Sequence, residues 1–334
     1  MKLQDRLVRY TDLRPCTNAF IDTRSPGSDK KENFTIIGPG VAENPDQHIH
    51  IGLAHGFNIG GARQPQGCLN SQHSHLTEEV FVVHSGTWAF RSGVNADDGE
   101  IILHPGDIIS LPKTIFRGFE NVGDGEGYLF AVLGGDDPGR VLWAPSVFDM
   151  AADYGLILLE NGSLVDTHLG QKAPEGIKPM PRTSQAQIAA HEVVDSEAMN
   201  NIVVRAADFP WAEGSALSQF EGVSEAALVG PACPDEGLPA SKLDWAHDFV
   251  VRALRLAVAA EVPLHTRSEE EVIFVFEGQL TVTVAGEALT MKRGDTFTTP
   301  LGAERSFANK GEDPCVVYIT RRGNGPRAPQ FSRL

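Results

Sequence analysis

The stretch from Gly67 to Gly86, GCLNSQHSHLTEEVFVVHSG, decides how this chain is read. It sets two imidazoles and a carboxylate, His73, His75 and Glu79, ahead of an apolar run that ends in a turn glycine. On a strand, residues of equal parity face the same side. All three positions are odd, so one extended run would aim them into a single interior, with His84, of opposite parity, outside. A closed β-barrel offers such an interior, lined by side chains and shielded from water. Two histidines and a carboxylate that leave coordination positions open form the facial triad favoured by non-haem Fe(II). Mn, Ni, Co and Zn fill similar sites.

Further along the chain the pattern recurs. EEVFVVHSG (78–86) reappears as EEVIFVFEG (270–278), and GDIISLP (106–112) as GDTFTTP (294–300), with Asn121 matched by Asn309. The offset is 192 for the first block and 188 for the second, the difference of one four-residue loop deletion. Two matched blocks in the same order mark two copies of one unit. Around each, Gly and Pro punctuate short runs rich in Val, Ile, Phe and Thr, the spacing of a sandwich or barrel. Between them, the segment ending at Gly155 and the segment TSQAQIAAHEVVDSEAMNN read as helices, separated by a Pro-rich connector. The expected architecture is all-β, two barrels with a partly helical linker: residues 1–145, 146–240 and 241–334. The first 45 residues suggest no role.

Copy one runs Gly67, five residues, His73, one, His75, three, Glu79, six, Gly86, then Gly106, five, Pro112, one, Thr114, two, Arg117, three, Asn121. It resembles the two conserved motifs of the cupin superfamily, with Thr114 where Gly is usual and Arg117 where that family has its last His. Copy two carries His265, Arg267, Glu271 and Gly278, then Gly294, Pro300, Gly302, Arg305 and Asn309. There Ala259 stands for the leading Gly, Arg267 for the second His and Arg305 for the last. The resemblance implies a bicupin, two double-stranded β-helix (jelly-roll) barrels in one chain, laid out like ring-cleaving dioxygenases of the gentisate type. It implies one divalent metal, Fe(II) favoured, on His73, His75 and Glu79. Oxalate-decarboxylase-like bicupins resemble two intact His-rich sites and fit less well.

The arginines divide the copies. Arginine stays protonated and has no lone pair to give, so it cannot be a ligand. Arg267, Glu271 and Arg305 read as an ion network in the second barrel. Arg117 has two readings: a bidentate clamp on a substrate carboxylate beside the metal, or an ion pair that pins Glu79. A strand bulge could turn Phe116 inward in its place, and Phe116 is no ligand either. His48 and His50 form a second His-x-His pair, one of which could supply a further ligand from a neighbouring strand. By parity Phe81 and Val83 share the face of Glu79, and Phe119 and Asn121 that of Arg117, an apolar cup with one amide.

Composition sets the outer bounds. The chain has 334 residues, 41% of them hydrophobic, enough for two cores. Lys+Arg 28 against Asp+Glu 44 gives a net charge of −16, which repels nucleic-acid phosphates and anionic lipid. No apolar run reaches membrane-helix length, the N-terminus has no signal-like core, and the four cysteines are scattered, so a cytoplasmic location is expected. The expected partner is a small-molecule substrate. A bicupin resembles an intramolecular cupin dimer, so a monomer suffices and a further homodimer stays open. The function these features point to is a metal-dependent dioxygenase-like enzyme acting on a small aromatic or carboxylated metabolite. The alternatives are a non-redox metal enzyme (isomerase, lyase or hydrolase) and a non-catalytic bicupin binding an anionic metabolite through Arg117 and Arg305.

Overall fold

A computed structural model of the chain describes residues 2–212 and 214–332. Strands dominate, as the punctuated Val/Ile/Phe runs require, and they gather in two compact units. One unit comprises Arg14–Gly52 and Asn58–Val203; the other comprises Met1–Leu13, Leu53–Phe57 and Val204–Leu334. The first thirteen residues, expected with the N-terminal barrel, therefore group with the C-terminal one. The cause is strand pairing: Leu7 and Val8 extend the C-terminal sheet, opposite Phe297 and Thr296.

Each unit pairs a seven-stranded with a five-stranded sheet. In the N-terminal unit the centre of the larger sheet is Ile108–Leu111, Glu79–Ser85, Gly127–Gly134 and Phe57–Gln64 in that order. The smaller runs Leu142–Trp143, Leu69–Ser74, Arg117–Asn121, Trp88–Ser92 and Gly99–Leu103. Phe81, Phe90 and Phe119 meet between the sheets, with ring centroids 5.2–5.5 Å apart, at about 0.5–1.5 kcal/mol per pair beyond area burial. The C-terminal unit repeats the plan with Thr296–Thr299, Glu271–Glu277, Cys315–Arg322 and Phe249–Leu256 against Gln279–Val284, Arg305–Ala308 and Glu261–Thr266. The matched glycines show why the motif survives in both copies. Gly86 and Gly278 have φ 84° and 71°, and a Cβ would come within 2.7 Å of Gly127 Cα in one and 2.5 Å of the Pro314 carbonyl oxygen in the other.

The linker is helical only in part. Pro145–Asp153 is a helix that stops ahead of Gly155, which has φ 78°. The second expected helix is two short ones, Gln185–Ala189 and Ser196–Asn201, because Asp195 caps a fresh start by accepting from Ala198 N. Val223–Val229, inside the expected linker, is a strand paired to Phe249–Leu256. Among the described residues no helix is long and apolar enough to cross a membrane.

Candidate metal centre

His73, His75 and Glu79 converge, by a different route from a single extended run. His73 lies on Leu69–Ser74 in the smaller sheet, and Glu79 opens Glu79–Ser85 in the larger. The chain bends between them at exposed Leu76 and half-buried Thr77, so His75 sits just past the first strand. The sheets face each other, and the crossing brings one donor atom from each residue within 4.8 Å of the others. Among the described residues this is the one group of three or more His, Cys, Asp or Glu so placed.

Each donor is prepared. His73 Nδ1 donates to the Ser71 carbonyl at 2.7 Å, which leaves the Nε2 lone pair for a cation. Burial, and then the Arg117 guanidinium, pull the His73 pKa down to about 3 and hold His75 well below its ordinary range, so both rings are neutral. His75 Nε2 stands 3.6 Å from Glu79 Oε2, and its Nδ1 is buried without a hydrogen-bond partner. Arg117 Nη2 donates to Glu79 Oε2 at 2.7 Å, yet burial outweighs it and pushes the Glu79 pKa up. A buried carboxyl so disfavoured as an anion, facing two neutral imidazoles, is the donor set that a divalent cation satisfies. The residues fit a metal.

A cavity of about 690 Å³, its open mouth included, has His73, His75 and Glu79 in its wall. Phe20, Phe34, Phe81, Phe119 and Trp143 line it, together with Asn33 and Asn70, and among the described residues no lysine or arginine does. Arg117 is wholly buried and touches the site through Glu79 rather than through the cavity, and Phe116 packs in a separate cluster with Trp143 and Val147.

Parity misplaced two side chains, Asn121 and His84. Asn121 is no cavity amide: its Nδ2 donates to the Gln64 and Gly125 carbonyls and its Oδ1 accepts from Gly123 N, which ties off the turn after its strand. Asn309 repeats this with Leu256, Asp313 and Gly311. Val83 faces the core with Phe81, as parity predicts, whereas His84, expected outside, is buried beside Tyr128 because the larger sheet is covered on both faces. His50 spends both ring nitrogens on Thr35 O and Arg14 N and packs against His48, so neither joins the trio. Sequence reasoning missed Trp143, whose ring centroid lies 5.2 Å from that of His73, and Glu43, which accepts from Trp143 Nε1 at 2.6 Å and Ile21 N at 2.7 Å. Neither carries a spacing signal.

The counterpart in the C-terminal unit has another character. His265 and Arg305 face each other in register as His73 and Arg117 do. Glu271, equivalent to Glu79, is met by Arg321 Nε at 2.8 Å and by Arg267 Nε and Arg305 Nε at 3.5 Å. Three guanidiniums hold its carboxyl far below the usual range against the cost of burial. The expected network is present and larger than expected, with Glu236 joining Arg252, Arg267 and Arg321.

Two barrels of one topology, with a two-histidine, one-glutamate cluster in the first and an arginine cage in the second, define a double-barrel cupin. The cupin domain model matches residues 62–133 and 254–320, and the chain belongs to the cupin superfamily as a bicupin. A germin-like protein of Arabidopsis thaliana (subfamily 1 member 4) is 29% identical over 122 residues, 34% of this chain, and the chain spans about half (54%) of that relative's length. Among solved structures, Lactobacillus farciminis oxalate decarboxylase in its formate complex matches 96% of this chain and 87% of its own at 12% identity, TM-score 0.58. Bacillus subtilis oxalate decarboxylase matches 96% and 77%, also at 12%, TM-score 0.55. At that identity the likeness is one of fold.

Proposed function

We propose that the N-terminal unit is a mononuclear metal enzyme acting on a small aromatic metabolite, with Fe(II) the favoured metal and a dioxygenase-type oxidation the favoured reaction. The observation that carries the reading is the convergence of His73, His75 and Glu79 on the wall of an aromatic-lined cavity. Bound there, a divalent metal supplies a Lewis acid, and iron adds the capacity to bring O₂ and an electron-rich substrate together. The chain's residues do the rest. Ser71 fixes the tautomer of His73, and Arg117 holds Glu79 in place as a positioning residue. Phe34, Phe81, Phe119 and Trp143 give a flat ring apolar faces and exclude water around it.

Among carboxylated substrates a small dianion such as oxalate fits less well, because no cationic side chain among the described residues lines the cavity to share its charge with the metal. The same argument weighs against Arg117 as a substrate clamp and against an anion binder in this unit. A non-redox reaction at Mn, Ni, Zn or Co is the second reading, since the donor set alone does not select iron.

The test is metal content by plasma mass spectrometry on wild type, His73→Ala and Glu79→Ala, each purified without chelator or affinity tag. Near one metal per chain, lost in both variants, is expected, and O₂ uptake with small phenolic acids then separates oxidation from Lewis-acid chemistry. Wild type that stays metal-free after anaerobic Fe(II) loading would overturn the proposal. For Arg117, a changed Co(II) absorption spectrum in Arg117→Met, restored in Arg117→Lys, separates positioning from bulk stability.

A further inference from the structure

The arginine cage of the C-terminal unit is over-supplied with donors. Four guanidiniums, Arg252, Arg267, Arg305 and Arg321, meet three carboxylates, Glu225, Glu236 and Glu271, all of them buried. Glu269 reaches Arg267 only at 3.9 Å, from the rim, where it is engaged by Arg327 N. Neither Nε nor Nη2 of Arg267 and Arg305 has a hydrogen-bond partner, nor has Nη2 of Arg252 or Arg321. The two Nε atoms sit at ion-pair distance from Glu271 without hydrogen-bond alignment. An unsatisfied buried donor costs about 1–3 kcal/mol, more when charged, so this many in one place points to a missing acceptor.

His265 adds a second requirement. Its Nδ1 donates to the Pro263 carbonyl at 2.9 Å, and burial brings its pKa down to about 4, so Nε2 is a bare lone pair. That nitrogen is buried and also lacks a partner. The unmet groups are thus guanidinium N–H donors and one acceptor. Phe331 packs on His265 and Phe220 on Phe331, which closes this end of the unit with apolar rings.

We propose that the C-terminal unit holds one small monovalent oxyanion among Arg267, Arg305 and His265, at the place corresponding to the metal centre of the N-terminal unit. Its oxygens accept from the guanidinium N–H groups that lack a partner. An anion that carries one O–H, of the bicarbonate kind, also donates to His265 Nε2, which a halide cannot do. The site is structural, since the apolar cover keeps it from solvent.

Thermal unfolding tests this whatever the exchange rate of the native site, because the site equilibrates as the protein melts. The measurement compares sodium bicarbonate, sodium formate and sodium chloride at matched ionic strength and pH, using metal-free His73→Ala so that the N-terminal centre does not contribute. The expected result is a saturable rise of several degrees in Tm with bicarbonate, a smaller one with formate and none with chloride. The response should vanish in Arg305→Met and weaken in His265→Phe. No response to either oxyanion, equal responses to all three salts, or a bicarbonate response unchanged in both variants would overturn it. Should Arg305→Met not fold, His265→Phe and Arg305→Lys carry the comparison.

Discussion

The two units put the same strand-end positions to opposite electrostatic use. In the N-terminal unit the positions before and after the bend hold neutral lone pairs and one carboxylate, with a single arginine behind them. In the C-terminal unit, arginine stands at the second and last ligand positions, and Glu271 is wrapped by three guanidiniums. The barrel is indifferent to the exchange because these side chains hang from strand ends and take no part in the ladder. A cupin barrel therefore fixes where charge is concentrated and leaves its sign to a few substitutions.

The sharpest way to break the comparison is to remove the hub of the cage. Glu271→Gln leaves Arg305 without a carboxylate in a buried site and takes one of two from Arg267 and Arg321, and a loss of about 3–5 kcal/mol is expected by urea unfolding. Glu79→Gln, on metal-free protein, should cost less, since it takes a carboxylate from one arginine rather than from three.

Next comes a contrast in how carboxyls are buried. The C-terminal ones are paired, whereas Glu43 in the N-terminal unit is buried against Trp143 and Ile21 N–H groups, and burial pushes its pKa up to about 8. A carboxyl whose folded pKa exceeds its unfolded value favours the fold while protonated. Its contribution is full below about pH 4.5 and is lost as the pH rises towards 8. The unfolding free energy from urea titration should fall by a few kcal/mol at most across that window, and Glu43→Gln should flatten the slope.

Third, Arg117→His restores the imidazole of the cupin motif and withdraws a cation from the centre. Metal affinity should rise about 10–100-fold, read by competition with a chromophoric chelator. An unchanged affinity would mean that the barrel does not aim this position at the metal.

The smallest effect concerns Ala259, which adopts φ 65° where its counterpart Gly67 has φ 74°. Ala259→Gly should stabilise the C-terminal unit by about 0.5–1 kcal/mol, and Gly67→Ala should destabilise the other by a similar amount.

What the sequence disclosed and what it hid follow from range. The repeat exposed both barrels, because turn glycines and alternating apolar residues are local, and the His73–His75–Glu79 trio was legible because it spans one bend. Parity failed at Asn121, since a strand-end amide is claimed by the adjoining turn before it can face the interior. Arg321, Glu236, Glu225 and Arg252 gave no warning. They reach the cage from strands and loops far apart in sequence, and only the pairing of Phe249–Leu256 with Cys315–Arg322 and Val223–Val229 brings them together.

The edge strand Leu7–Val8 bears on how the chain is made. It leaves the ribosome nearly 290 residues ahead of Thr296–Thr299, the strand it pairs with. Leu7 and Val8 must therefore wait, unpaired, while the residues between are made. A fragment beginning at residue 204 would expose the backbone of Thr296–Thr299 as an open sheet edge, a template for association with other chains. The C-terminal barrel is best expressed with the beginning of the chain attached.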